Sequence, residues 1–131
     1  MHALLADTGP LYAAVDEGDK HHLLAAEQMR RLESERRNVV IAYPILLEGY
    51  SLVLNRLGIS AAQKWLALLG GSSFFNPDPE DYGRAASTAQ RFPDQRISLV
   101  DATVAALAIR LGLEVWTYDH HFDLMRVPVW R

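Results

Sequence analysis

The 131-residue chain contains no cysteine, which excludes disulfide staples and thiolate metal sites and fits a reducing compartment. No apolar run reaches membrane-spanning length. The opening Met1-His2-Ala3-Leu4-Leu5-Ala6-Asp7 has no basic stretch followed by a long apolar one, so neither a membrane contact nor a secretory leader is expected, and the reading is cytoplasmic. Positive charge is not in excess either: 13 Lys and Arg against 16 Asp and Glu leave a formal net charge of −3. A polyanionic ligand would therefore have to be met by a local patch or through a bound cation. The chain also lacks a G-x-S-x-G elbow, a Walker loop and a G-x-G-x-x-G loop, which removes the commonest hydrolase, nucleoside triphosphatase and dinucleotide-binding readings.

What is present suits a folded α/β protein. Half the residues are hydrophobic and 22% are charged, and the length fits one domain over 1–131 with a real core. Short apolar runs at Ala3 to Ala6, Val39 to Ala42, Ser73 to Phe75, Glu114 to Tyr118 and Val127 to Trp130 predict strands. Between them, helices are predicted from Thr8-Gly9-Pro10, from about Lys20 to Arg37 (with Leu23, Leu24, Ala26 and Leu32 as its apolar residues), from Pro44 to about Arg56, and from Ala61 to Leu69 after a cap at Ser60. Two more run from Asp78 through Gln90 and from Leu99 to Leu111, the latter stopped by Gly112. Strands alternating with helices predict a layered α/β fold with a mostly parallel sheet.

Four carboxylates sit where these elements meet. Asp7 follows the first strand, Asp119 follows the strand ending near Tyr118, and Glu48 and Asp101 lie in the first turns of two helices, so one sheet edge can gather all four. Each has an ordinary reading beside this. Asp7 can favour a helix N-terminus; Glu48, on the apolar stripe of Ile45 and Leu52, can pair with Arg56 or Arg96; Ser98 and Asp101 make an S-x-x-D capping pattern; Asp119 can be a turn acid, with Asp123 four residues on as an extra member. A gathered set of oxygen ligands without thiolates points to Mg²⁺ or Mn²⁺. Thr8 and Thr117 are candidates to hydrogen-bond the carboxylates or a metal-bound water. Adjacent histidines on a helix point about 100° apart, so His21-His22 and His120-His121 read as surface or capping residues, though the second pair flanks Asp119. An aspartyl phosphotransferase of the haloacid dehalogenase kind would need D-x-D, and position 9 is Gly9.

Three segments in this order, L-L-A-D-T-G-P-L-Y-A from Leu4, I-S-L-V-D-A-T-V-A-A-L-A from Ile97 and V-W-T-Y-D-H-H-F from Val115, together with Glu48 on the helix after Pro44, resemble the PIN domain ribonucleases, and among them the VapC-type toxins. The resemblance implies a three-layer α/β/α sandwich and an acidic quartet of Asp7, Glu48, Asp101 and Asp119 surrounded by small hydroxyl residues at Thr8, Ser98 and Thr117. The stretch Tyr43 to Leu47 lacks the small hydroxyl residue often found before the glutamate. It further implies divalent-metal-dependent cleavage of RNA, a homodimer and inhibition by a VapB-like antitoxin; the alternative is a PIN-like binding module without catalysis. Arg56, Lys64, Arg91 and Arg96 are candidate RNA-backbone contacts, and Trp65, Leu68 and Leu69 are candidates for either an interface or the core.

Overall fold

Leu4, Leu5 and Ala6 are sealed from solvent because the strand they form lies at the centre of a sheet covered on both faces. The computed structural model describes residues 3–131; Met1 and His2, part of the segment read for a leader, lie outside the described residues. The elements run β1 (Ala3–Ala6), α1 (Thr8–Ala13), α2 (His22–Ser34), β2 (Asn38–Ala42), α3 (Tyr43–Leu57), α4 (Ile59–Leu69), β3 (Ser73–Phe75), α5 (Pro79–Arg91), α6 (Leu99–Leu111), β4 (Glu114–Trp116), α7 (His121–Leu124) and β5 (Val129–Trp130). The five strands pair in the order β3-β2-β1-β4-β5, every pair parallel, as the α/β/α reading requires.

This order positions everything that follows. The chain winds outward from β1 through β2 to β3, then returns to place β4 and β5 on the other side of β1. Connections leave β1 and β4 in opposite senses, opening a crevice beyond their carboxyl ends, where open α/β sheets bind ligands. Register brings Ala6 beside Trp116, so Asp7 and Thr117 are neighbours just past the strand ends. The Asp7 N–H continues the ladder to the Trp116 carbonyl at 2.9 Å.

Helix punctuation follows the sequence with one shift. Gly112, at φ 68°, closes α6, and Asp78 and Asp81 form a reciprocal capping box on α5. Gly58, at φ 92°, both ends α3 and opens α4, so the cap expected at Ser60 stands two residues earlier. Gly58 adopts a backbone that a Ser side chain resists, so the turn forms there.

Three other expectations change. β4 stops at Trp116, short of Tyr118, because the chain turns away through hydrogen bonds made by Thr117 and Asp119 and then forms the unexpected α7. The buried stripe of α2 is Ala25, Gln28 and Leu32, at i, i+3 and i+7, whereas Leu23 and Leu24 are exposed. Counting apolar residues alone discards Gln28, although its amide oxygen accepts from Trp116 and Tyr118 in the interior. Of the three interface candidates on α4, Trp65 and Leu69 belong to the core and Leu68 is exposed.

Trp65 also explains a glycine inside a helix. A Cβ at Gly49 would stand 2.5 Å from the indole Cζ2, so α3 and α4 approach this closely only without one. The indole N–H donates to the Leu11 carbonyl at 3.2 Å, tying α4 to α1. Elsewhere the fully buried Asp81 receives both Arg110 Nε and an Arg110 terminal nitrogen, at 2.9 and 2.8 Å, and Arg84, clamping α5 onto α6. Among the described residues no helix is long and apolar enough to cross a membrane.

Candidate active site

The crevice beyond β1 and β4 is a cleft of about 490 Å³ whose walls include Asp7, Thr8, Glu48, Asp101, Asp119 and Arg56. All four sequence-predicted carboxylates thus reach one place from four elements. β1 delivers Asp7 as it ends. β2, beside β1, leads into α3, whose second turn presents Glu48 to Thr8; the Thr8 hydroxyl donates to Glu48 Oε1 at 2.6 Å. The hydroxyl missing from the stretch before Glu48 is therefore supplied from α1. Neither Arg56 nor Arg96 forms an ion pair with Glu48: Arg56 lies 5.4 Å over the Tyr12 ring, and Arg96 is an exposed residue ahead of α6.

Ser98 caps α6 by accepting from the Asp101 N–H at 3.0 Å, and the Asp101 carboxyl stands in the acidic cleft. On the β4 side, Thr117 joins two acids: its hydroxyl donates to Asp7 Oδ2 at 2.7 Å and accepts from the Asp119 N–H at 3.0 Å. Asp119 Oδ1 accepts from the His121 N–H at 2.9 Å, which fixes the turn into α7. Asp123 does not join the group. It faces the neighbouring depression and pairs with Arg131 at 3.3 Å. Of the four candidate cations, Arg56 alone lines the acidic cleft, while Lys64 and Arg91 line separate depressions.

The profile of the PIN domain family matches residues 4–127. The chain belongs to the PIN domain family. It is 28% identical to Ribonuclease VapC26 of Mycobacterium tuberculosis over 127 residues, which is 94% of this chain and 92% of that one. In structure it is similar to Mycobacterium tuberculosis VapC20, described as a sarcin-ricin loop cleaving toxin, with a TM-score of 0.84, 98% of each chain covered and 23% identity. The VapBC2 complex of Rickettsia felis, bound to a DNA fragment from its promoter, gives 0.75 at 14% identity over 98% of this chain and 97% of that one.

In this PIN domain the electrostatics of the quartet are unfavourable without a counter-charge. Burial raises Asp7 to about 6, the hydrogen bonds from Thr117 and the Thr8 backbone opposing the shift and the charges of Asp119 and Glu48 adding to it. Asp101 is pushed up to about 8 by burial, by the negative charge of Asp7 and by a hydrogen bond shared with Asp119. Asp7 Oδ1 is buried and has no hydrogen-bond partner, a condition few buried polar atoms tolerate.

The sequence reading set aside the pair His120-His121, and the structure brings both rings to Asp119. α7 gathers possible ligand atoms of Asp119, His120 and His121 within 4.8 Å of one another. His121 Nδ1, buried and without a hydrogen bond, lies 3.2 Å from Asp119 Oδ1. The signal in the sequence was the D-H-H-F segment itself, which sets both rings directly after Asp119, with centroids 4.4 Å apart.

Proposed function

We propose that residues 1–131 form a single PIN-like nuclease domain: a divalent-cation-dependent endoribonuclease acting as the toxin of a VapBC-type toxin-antitoxin pair. The observation that carries the reading is the sealed, unpartnered Asp7 Oδ1 among four converging carboxylates. Packing acids this closely costs free energy, and a cation supplies the missing partner.

The donor set fits a hard ion. Asp7, Glu48, Asp101 and Asp119 would hold Mg²⁺ or Mn²⁺, all through oxygen, and such an ion, when bound, supplies charge stabilisation for a phosphodiester and an activated water. The protein's own groups do the rest. Thr117 holds Asp7 and Asp119 at fixed orientation, Thr8 holds Glu48, and Ser98 fixes the α6 turn that carries Asp101. Asp101 and Asp119, which line the same cleft, are placed for one of them to accept the proton of the attacking water. Arg56 at the cleft wall offers a phosphate its charge, which in a protein of net −3 is a local exception. The similarity to a ribonuclease and to toxin-antitoxin complexes supports RNA as substrate and a VapB-like antitoxin as partner. A homodimer in the reducing cytoplasm completes the reading.

Asp7→Asn and Asp101→Asn test it. Each is expected to abolish RNA cleavage and to remove divalent-ion binding in calorimetry while the circular dichroism spectrum stays native. Undiminished cleavage by both variants overturns the assignment. Absence of divalent binding by the unmodified protein favours the non-catalytic binding module.

A further inference from the structure

Beside the acidic cleft, and sharing His21, Tyr118, Asp119 and His120 with it, lies a second cleft of about 450 Å³ floored by Gln28. Gln28 is 6% exposed, an uncommon state for a glutamine, and its amide is fixed from one side only. Its Oε1 accepts from the Trp116 indole N–H at 2.8 Å and from the Tyr118 hydroxyl at 2.6 Å. An indole nitrogen can only donate, so the amide orientation is dictated by chemistry: the oxygen faces Trp116. The NH₂ group is left with two donors and no protein partner among the described residues, in the wall of an open cleft.

The arginines around it are already engaged, and Glu27 and Asp119 add negative charge. Arg31 binds Glu35 and the Arg131 carbonyl and covers the Trp130 ring at 4.2 Å, and Arg131 pairs with Asp123. A phosphate would find little free positive charge here. A neutral planar group carrying hydrogen-bond acceptors suits the cleft better. One wall is the His21–Tyr118 ring pair, with centroids 4.4 Å apart, and Leu24 adds apolar surface.

We infer that this second cleft is a nucleobase subsite, in which the Gln28 NH₂ reads an acceptor edge of the RNA base adjoining the phosphate held at the acidic cleft. The inference rests on the ribonuclease reading for the phosphate's position. Its own content is that base preference resides in Gln28, whereas the His21–Tyr118 wall contributes stacking that every base shares.

The test is binding of fluorescein-labelled hexaribonucleotides, all uridine except for A, C, G or U at one central position, followed by anisotropy with Ca²⁺ present. The protein is expected to favour one or two of the four by about tenfold, the scale of one well-made base contact. Gln28→Glu keeps an oxygen for Trp116 and Tyr118 but replaces the donor by an acceptor, and is expected to erase or reverse the preference. His21→Ala is expected to weaken all four alike and leave the preference standing. Equal affinity of the unmodified protein for the four RNAs overturns the inference, as does a preference that survives Gln28→Glu; the first result holds even where the variant fails to fold. The two readings separate cleanly. A Gln28-dependent preference in a protein that cleaves no RNA with Mg²⁺ keeps the subsite and ends the ribonuclease assignment, and cleavage with an unaltered preference does the reverse.

Discussion

With divalent ions removed by chelator, the protein is expected to lose stability as pH rises from 4 to 8, against the usual behaviour of proteins rich in paired carboxylates. Asp7 has its folded-state pKa raised from 3.8 to about 6. A raised acid binds more protons folded than unfolded, so its contribution is fully present below pH 3.8 and is lost as pH climbs through 6. The shift corresponds to about 3 kcal/mol, which for a chain of this size lowers the melting temperature by about 10 °C. Asp101, pushed up by burial and by the charge of Asp7, extends the decline to higher pH. Asp81 does not mask the effect. Its carboxyl is held well below the usual range by Arg110, so its contribution is constant above pH 4. The assay is thermal unfolding in EDTA across this range, for the unmodified protein and for Asp7→Asn. Asp7→Asn should flatten the lower part of the curve, and Mg²⁺ at a hundred times its dissociation constant should restore about 2.7 kcal/mol at pH 8. Stability that is flat or rising from pH 4 to 8 in chelator, or an unchanged slope in Asp7→Asn, would refute the account of a buried Asp7 set among half-buried, repelling acids.

Thr117→Val removes the hydroxyl that joins Asp7 to Asp119 without changing side-chain volume; cleavage should fall by about 10- to 100-fold, with Thr117→Ser restoring most of it in the same assay. Gly49→Ala gains about 1 kcal/mol of helix propensity but loses more by overlap with Trp65. The net expectation is destabilisation of about 1–2 kcal/mol in urea titration, with a shifted Trp emission as the indole is displaced. Asp81→Asn should cost about 2 kcal/mol through the lost capping box and weakened arginine contacts, while the cleavage rate per folded molecule stays the same.

The strands and the gathering of the quartet were legible because both depend on local pattern: apolar runs lead to Asp7 and Asp119, Glu48 and Asp101 stand in the early turns of helices, and these points fall at one edge of a parallel sheet. Asp7, Glu48, Asp101 and Asp119 needed no knowledge of long-range contacts beyond that edge. Gln28 was invisible for the opposite reason. Its burial depends on Trp116 and Tyr118, 88 and 90 residues away, and in isolation it reads as a polar residue on a charged helix. Asp81 was missed likewise, since its partner Arg110 lies 29 residues further on. The cap of α4 moved from Ser60 to Gly58 because backbone freedom outweighed side-chain capping. The placement of Asp123 failed on direction: α7 turns it away from Asp119, toward Arg131.

The pairing of β1 with β4 also makes the timing of synthesis a safeguard. Asp7 is made more than a hundred residues before its neighbours Thr117 and Asp119. A nascent or prematurely ended fragment lacking β4 has no edge for β1 to meet on that side and only three of the four acids. Degradative power of the kind proposed here would therefore appear all at once, when the last strands dock, and a cell translating the message is not exposed to half-made enzyme.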